Sequence, residues 1–474
     1  MSPPARPPSD PPVTLPPAGR AALRAGVVGN WIDNIHVFLP LTALAPVIAR
    51  LAGPAAATGT GAVIVIAMLL GRPVGGLVLG PVSDRLGRTR TTRLAIGGTA
   101  SCALLIGCMP THRVLGAGTI VLILVLRFLG GIFVAGEYSA AIPLAMEWSA
   151  PGRRGLMSGL ILSMAPWAQA SIAFAVAELL TALGPERYAA WGWRVLFLLG
   201  AACSLGMLGY YRTRVADAPM FHRRHRSPEA AGAGIGEVLV GRWAGAFWQV
   251  FTMMTGLWLL TDTTVLILTT SLSTDAGLPA AGVSLAMGTA SIAQALSMTL
   301  AGHLSTRTGR RALLVGWGIV AAVLGPVLWR ATVSSRGLGR AAALAGLLQV
   351  ATVAAYGPVS AYLSERFPTR VRSTGYGMGY SLSLVLPALY PFYLPALGRA
   401  VGVHAAICGL VALGGALLAV GALLGTALAC HPHAAVRAGA ALSGVSLILA
   451  SEKVSFSRVI ADTPALAALD GLGR

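Results

Sequence analysis

The sequence predicts an all-α polytopic membrane protein: twelve transmembrane helices in two pseudo-symmetric six-helix bundles. Three observations carry that expectation. The 474 residues are 55% hydrophobic and only 11% charged, at a mean hydropathy of +0.73, whereas a soluble domain carries about 25% charged residues. Apolar runs of roughly 20 residues, the length a helix needs to cross a hydrocarbon core, recur along most of the chain. Those runs lack the alternation of barrel strands, and in lipid only helices and closed barrels satisfy their own backbone.

Taken in order, residues 1–24 open in a proline-rich stretch without an apolar run, and read as a disordered cytoplasmic tail rather than a signal peptide. Helices are expected over 25–49, 60–82, 94–110, 115–146, 156–181 and 192–211, which make an N-terminal six-helix bundle over 25–211. Residues 212–243 are polar, basic and punctuated by Gly and Pro, as a cytoplasmic linker would be. A second set over 244–271, 281–302, 312–331, 341–363, 374–397 and 403–429 makes the C-terminal bundle, 244–429. The tail, 430–474, holds an SGVSLILA patch too short to span.

The net charge of +19 raises the question of nucleic acid, but the placement of the charges answers it. Arginines such as Arg85, Arg88, Arg90 and Arg93 cluster in short connections instead of covering one soluble face. The connections 83–93, 147–155, 212–243, 303–311 and 364–373 hold most of them, against scattered ones such as Arg113, Arg187 and Arg336 on the other side. By the positive-inside rule both termini are expected in the cytoplasm. The five cysteines, Cys102, Cys108, Cys203, Cys408 and Cys430, have neither metal-ligand nor disulfide-framework spacing. No zinc spacing, P-loop or dinucleotide fingerprint occurs, so no cofactor, metal or ATP-driven step is expected, and a membrane enzyme or sensor lacks the constellation it would need.

The two halves repeat. Ser83-Asp84-Arg85-Leu86-Gly87-Arg88 recurs as Ser305-Thr306-Arg307-Thr308-Gly309-Arg310, and Glu147 with Arg154 recurs as Glu365 with Arg372 at the same separation. The loop Gly80-Pro81-Val82-Ser83-Asp84-Arg85-Leu86-Gly87-Arg88-Thr89-Arg90 resembles the signature of the major facilitator superfamily. Its metabolite:proton symporter branch is resembled at Arg72-Pro73-Val74-Gly75-Gly76, at Arg127-Phe128-Leu129-Gly130-Gly131 with Ala135-Gly136-Glu137, and at Trp191-Gly192-Trp193-Arg194. Glu147 with Arg153-Arg154-Gly155, and Glu365-Arg366-Phe367-Pro368-Thr369-Arg370-Val371-Arg372, extend the likeness over about residues 25–430.

The resemblance implies a secondary transporter in a bacterial inner membrane. It would carry a small organic acid, amino acid or betaine-like solute with protons by alternating access, as a single chain whose partners are its substrate, protons and lipid. His36 stands where the branch has a second acidic residue after Asp33, Thr306 where the family's second loop has Asp, and Gly130 and Ala135 where the branch has Gln and Gly. Efflux of a drug or self-made metabolite is the competing direction. Drug antiporters of the superfamily carry a Gly-Pro motif in helix 5, where this chain has Ala165-Pro166.

An ionisable group at bilayer depth costs at least about 2.5–3.5 kcal/mol on insertion scales, so each one retained there is a candidate for function. Asp33 and His36 share a helix face and are proton-coupling candidates with Glu137; a polar helix end bonded for packing is the plainer reading. Arg127 lies about three turns from Glu137 and either holds an anionic substrate or forms a static ion pair. Arg72, Asp262 and Trp167 complete the substrate candidates, against gate, structural-pair and core-packing roles. Glu178 and Arg194 are expected at the solvated outer surface. The resemblance assigns Asp84, Arg85 and Arg88 to a cytoplasmic gate, with Glu147, Arg154, Glu365 and Arg372 as the pairs that break when it opens. Thr306 cannot carry charge, so an asymmetric latch dominated by the first half is expected.

Overall fold

Proline opens the first helix: Pro17 lies in the first turn of α1, Pro17–Ala43, where a missing N–H is no loss. The helix starts ahead of residue 25 and so takes in part of what the sequence reads as tail. Its alanine-rich first turns favour helix, and Gly19 packs closely on the ring of Trp148. The computed structural model describes residues 15–52, 57–219 and 234–425. The tail expected over 430–474, residues 1–14 and the middle of the linker lie outside the described residues.

The first half continues with α2 (Ala57–Leu86), α3 (Arg88–Gly107), α4 (Gly118–Trp148), α5 (Arg154–Arg187) and α6 (Trp193–Arg214). The second begins with α7 (Ala244–Thr261), which passes through a π-helical turn at Asp262–Ile267 into Leu268–Thr274. Then come α8 (Ala280–Thr308), α9 (Arg310–Val333) and α10 (Leu338–Val353), the last continued by Val359–Arg366. Finally α11 (Arg372–Leu382) is broken before Val385–Ala388 and Tyr390–Val401, and α12 is Val403–Leu424. Among the described residues eight stretches are long and apolar enough to cross a membrane, one of them the 64-residue Pro151–Arg214 that holds both α5 and α6. α11 and its continuation qualify only as a pair bent by 45°. In α1 the polar residues Asn30, Asp33, Asn34 and His36 dilute the apolar run, and in α3 Arg88, Arg90 and Arg93 do the same.

Large apolar side chains such as Leu105, Val121, Leu199, Val323 and Val327 are exposed on the outside of the bundle. In water that surface would be a liability; facing lipid it is the expected exterior. The protein is an integral membrane protein.

Without a hydrophobic drive between helices, close packing in lipid depends on small residues. The two halves meet through glycines on both sides of a central seam. A Cβ on Gly76 of α2 would stand 2.7 Å from the Gly377 carbonyl oxygen of α11, and one on Gly302 of α8 would stand 2.7 Å from Gly159 Cα of α5. The repeated loop motif has a backbone reason as well: Gly87 and Gly309, at the same place in each copy, turn the chain between helices at φ 105° and 87°, which favours glycine.

Gly76→Val must push backbone against backbone, and is expected to cost about 1–3 kcal/mol or more. Gly316→Ala meets nothing within 4 Å and should be neutral or slightly stabilising. Thermal unfolding in detergent checks both; a Gly76→Val midpoint equal to that of the unsubstituted chain would contradict the packing account.

Candidate functional site

Between the halves lies a cavity of about 80 Å3, which at about 10–15 Å3 per water centre is room for roughly six waters. α1, α2, α4 and α5 line it from one side and α7, α8, the end of α10 and α11 from the other. Its walls are mostly apolar, with a few polar side chains converging on them, including Asn34, Gln169, Thr261 and Gln294.

Two of the lining residues are of charged types, Arg72 and Asp262. Arg72 is 3% exposed and reaches no carboxylate within salt-bridge distance among the described residues. Its guanidinium lies instead over three aromatic faces: Tyr138 at 4.8 Å, Trp258 at 5.4 Å and Tyr380 at 5.8 Å. Tyr138 stacks on Tyr380 across the two halves at 5.0 Å. The Trp258 indole N–H donates to the Tyr380 carbonyl at 2.9 Å. That carbonyl lacks its helical N–H donor because α11 ends there, with the Leu384 N–H turning back to Ser381, and it also accepts from the Ser383 hydroxyl at 3.2 Å. Asp262 is 4% exposed and its Oδ2 has no hydrogen-bond partner. It opens the π-helical turn of α7, a wide turn of the kind often found at functional sites.

Asp33, Glu137, His36, Arg127 and Trp167 are not among the residues lining the cavity. Asp33 and Glu137 lie one residue behind its wall, next in sequence to the lining residues Asn34 and Tyr138, whose side chains are bonded at 2.9 Å. The two carboxyl groups are close enough to interact, and a hydrogen bond between them needs one proton. Glu137 also accepts from the Thr99 hydroxyl at 3.3 Å.

His36 turns away from Asp33 to Ser204 of α6, at 2.8 Å. Arg127, expected beside Glu137 or on a substrate, donates to the carbonyls of His36 at 2.7 Å and Val37 at 3.3 Å. The cause is Pro40 in α1, which has no N–H to give the residue four positions earlier; the guanidinium repairs that break. Trp167 is part-buried on α5, while its neighbours Pro166 and Gln169 face the cavity. Glu178 is exposed as expected. Arg194 is not simply solvated: it donates to the carbonyls of Gly107 and Met109 where α3 ends.

At the end of the bundle that carries the repeated loops, Asp84 reaches across to the other half. Its carboxylate accepts from the Ser373 N–H at 3.2 Å, from the Thr374 N–H and hydroxyl at 2.8 Å each, and from Arg88 at 2.7 Å. These are the first backbone donors of α11, whose own preceding residue supplies no side-chain cap. Asp84 is therefore an N-cap supplied by the opposite half, at the positive end of the helix dipole. Around it the acidic residues pair crosswise. Glu147 holds Arg88 at 3.2 Å and Arg372 at 2.9 Å, while Glu365 holds Arg310 at 2.8 Å and Arg154 at 3.8 Å. Each glutamate thus binds one arginine of its own half and one of the other. Thr306, at the place of Asp84 in the repeat, lies against Gly155 at the start of α5, and its hydroxyl has no hydrogen-bond partner. Arg85 is exposed at the end of α2.

The sequence matches the family model described as Major Facilitator Superfamily over residues 28–378. The chain belongs to the major facilitator superfamily. Among curated proteins it is 27% identical over 392 residues to the ectoine/proline transporter ProP of Corynebacterium glutamicum, covering 77% of this chain and 76% of that one. It is 28% identical over 319 residues to the alpha-ketoglutarate permease of Escherichia coli, covering 66% and 71%. Among solved structures, the proton:xylose symporter XylE aligns with a TM-score of 0.69 at 16% identity, over 86% of this chain and 94% of that one, a likeness of fold. As a major facilitator the chain is a secondary transporter of small metabolites, not an enzyme.

Sequence reasoning missed several residues of this facilitator. Arg310 matches Arg88 in the repeat, and that correspondence could have found it. Trp258 stands one helical turn before Asp262, and Tyr138 and Asn34 adjoin the acidic residues, so their positions were visible too. Tyr356, Tyr380 and Gln294 carry no such signal, because nothing in their own segments says that they meet Arg72 or its cavity.

Asp84→Ala takes away the acceptor of four hydrogen bonds and one of the buried carboxylates facing Arg88. The loss is expected to be about 3 kcal/mol or more, read as a lower thermal midpoint in detergent. Thr306→Asp, placed at the uncapped start of α5, should recover part of it; an unchanged midpoint in Asp84→Ala would show that the cross-half cap carries little weight.

Proposed function

We propose that this facilitator is a proton-coupled symporter of the bacterial plasma membrane that takes up a small carboxylate-bearing solute, an organic acid, amino acid or betaine-like compound, by alternating access. The observation that carries the reading is Arg72: a buried cation with no ion pair among the described residues, facing a small cavity between two halves. A guanidinium without a carboxylate of its own is a recognition group for one brought by a solute. The cavity's size favours a compact metabolite over a bulky drug.

In this reading Asp33 and Glu137 are the proton site. Their shared proton lies behind the Asn34–Tyr138 bond, and Tyr138 also touches Arg72 and stacks on Tyr380 of the other half. Rocking of the halves therefore disturbs the wall that separates the proton site from the solute. Asp262 faces the solute. His36 and Arg127 hold α1 in place, and Trp167 packs α5, instead of touching proton or substrate.

The crosswise pairs of Glu147 and Glu365, with the Asp84 cap and Arg88, form the cytoplasmic gate, closed in this conformation; Arg154, Arg310 and Arg372 part from their glutamates when it opens. The arginines crowded at that end support its cytoplasmic placement, and with it cytoplasmic termini. The first half dominates the latch because Asp84 caps α11 of the other half, whereas Thr306 leaves the start of α5 uncapped.

Asp33→Asn keeps the shape of the carboxyl but cannot gain or lose the proton. In vesicles with an imposed proton gradient, the substituted protein is expected to lose gradient-driven accumulation and to retain solute exchange. Full accumulation by Asp33→Asn would remove the carboxyl pair from coupling. Accumulation only against an outward solute gradient, with protons entering, would instead give export as the direction.

A further inference from the structure

The cavity is electrically two-ended. Among the described residues that line it, Arg72 is the one cationic side chain and Asp262 the one anionic side chain, from opposite halves of the molecule. They are close enough to act on each other electrostatically, yet they form no ion pair within 4.0 Å. Both are at least nine-tenths buried, and the Asp262 Oδ2 atom and the Arg72 Nε atom have no hydrogen-bond partner. Burying a charge without a partner is costly, and the cost is recovered only when an opposite charge arrives.

Trp258 and Asp262 are one turn apart on α7 and so present to the same space. Tyr356 stands edge-on to Trp258 at 5.9 Å and meets the Thr261 hydroxyl at 3.3 Å. Aromatic faces and a carboxylate together suit an organic cation, above all an alkylated ammonium that is attracted to ring faces and needs few hydrogen bonds. A second carboxylate placed at this end would face Asp262, a like charge in a medium that screens poorly.

We infer that Asp262, with Tyr356, reads a positive group on the solute while Arg72 reads its carboxylate, so that the facilitator selects compact zwitterions over monocarboxylates and dicarboxylates of the same size. This rests on the carboxylate reading of Arg72 given above, and adds to it a second charge, a residue that sets specificity and a polarity across the cavity. The solute spans the seam, its carboxylate toward the first half and its cation toward the second. Binding then joins the halves through one small dipolar molecule.

The test uses the purified full chain and three probes: glycine betaine, its uncharged-carbon isostere tert-butylacetate, and succinate. Thermal stabilisation in detergent and competition for transport in vesicles are both read. The unsubstituted protein is expected to favour glycine betaine over tert-butylacetate by about tenfold or more, the scale set by leaving a buried charge unpaired, and over succinate by at least as much. Asp262→Asn should bring glycine betaine and tert-butylacetate to within about twofold of each other while keeping carboxylate binding, since Arg72 is untouched.

Equal handling of glycine betaine and tert-butylacetate by the unsubstituted protein, with transport intact, would overturn this inference and leave the carboxylate reading standing. The same comparison decides the matter if Asp262→Asn does not fold. A preference for succinate would also overturn it. Failure to bind or carry any of the three would overturn the carboxylate reading itself, and this inference with it.

Discussion

An ionised side chain carried to bilayer depth must be answered inside the protein, because lipid offers neither counter-charge nor hydrogen bonds, and the organisation of this facilitator follows from how each buried charge is met. Arg127 is answered by the His36 carbonyl that Pro40 leaves unbonded in α1, and by that of Val37. Arg88 is answered by Asp84 and Glu147, and the carboxyls of Asp33 and Glu137 by each other. Those answers fix helices against one another. Arg72 and Asp262 are the exceptions that face open space, and an unmet charge at the centre of a two-part molecule is a reason for a ligand to bind there.

The same constraint explains why the latch lies where it does. At the ends of the helices the unpaired N–H groups of α11 need acceptors, and its own sequence supplies none. Taking the acceptor from Asp84 of the other half makes helix completion conditional on the halves being closed. In the proposed gating the cap would act as a switch element: separating the halves exposes donors and acceptor to water, which can replace the bonds at modest net loss. The glutamates repeat the arrangement in duplicate. The caps do not, since the Thr306 hydroxyl has no hydrogen-bond partner among the described residues.

The glycines and the charges work together. Contacts such as Gly76 against Gly377 and Gly159 against Gly302 bring backbones close enough for short polar side chains to reach across the seam. The Ser83 and Ser373 hydroxyls meet there at 3.1 Å. A seam of this kind is held by many small contacts, which suits the proposed parting and closing of the halves.

The sequence by itself determined the solvent, the helix count and the duplication. Each is a statement about composition or about neighbours along the chain: long apolar runs, arginines gathered in alternate connections, and a loop motif whose glycine must turn at positive φ. It also named Arg72 and Asp262, because a charge that survives in an apolar run is conspicuous, and, through the family resemblance, Asp84 and the gate glutamates. What each charge touches was decided only by the tertiary structure. Asp33 and His36 are neighbours on one helix yet face α4 and α6. Arg127 and Glu137 share a helix yet serve different partners, and Tyr380 reaches Arg72 from the far end of the chain. Helical periodicity tells which face a residue occupies, but the helix that covers that face is chosen by packing in three dimensions, and no local pattern encodes it.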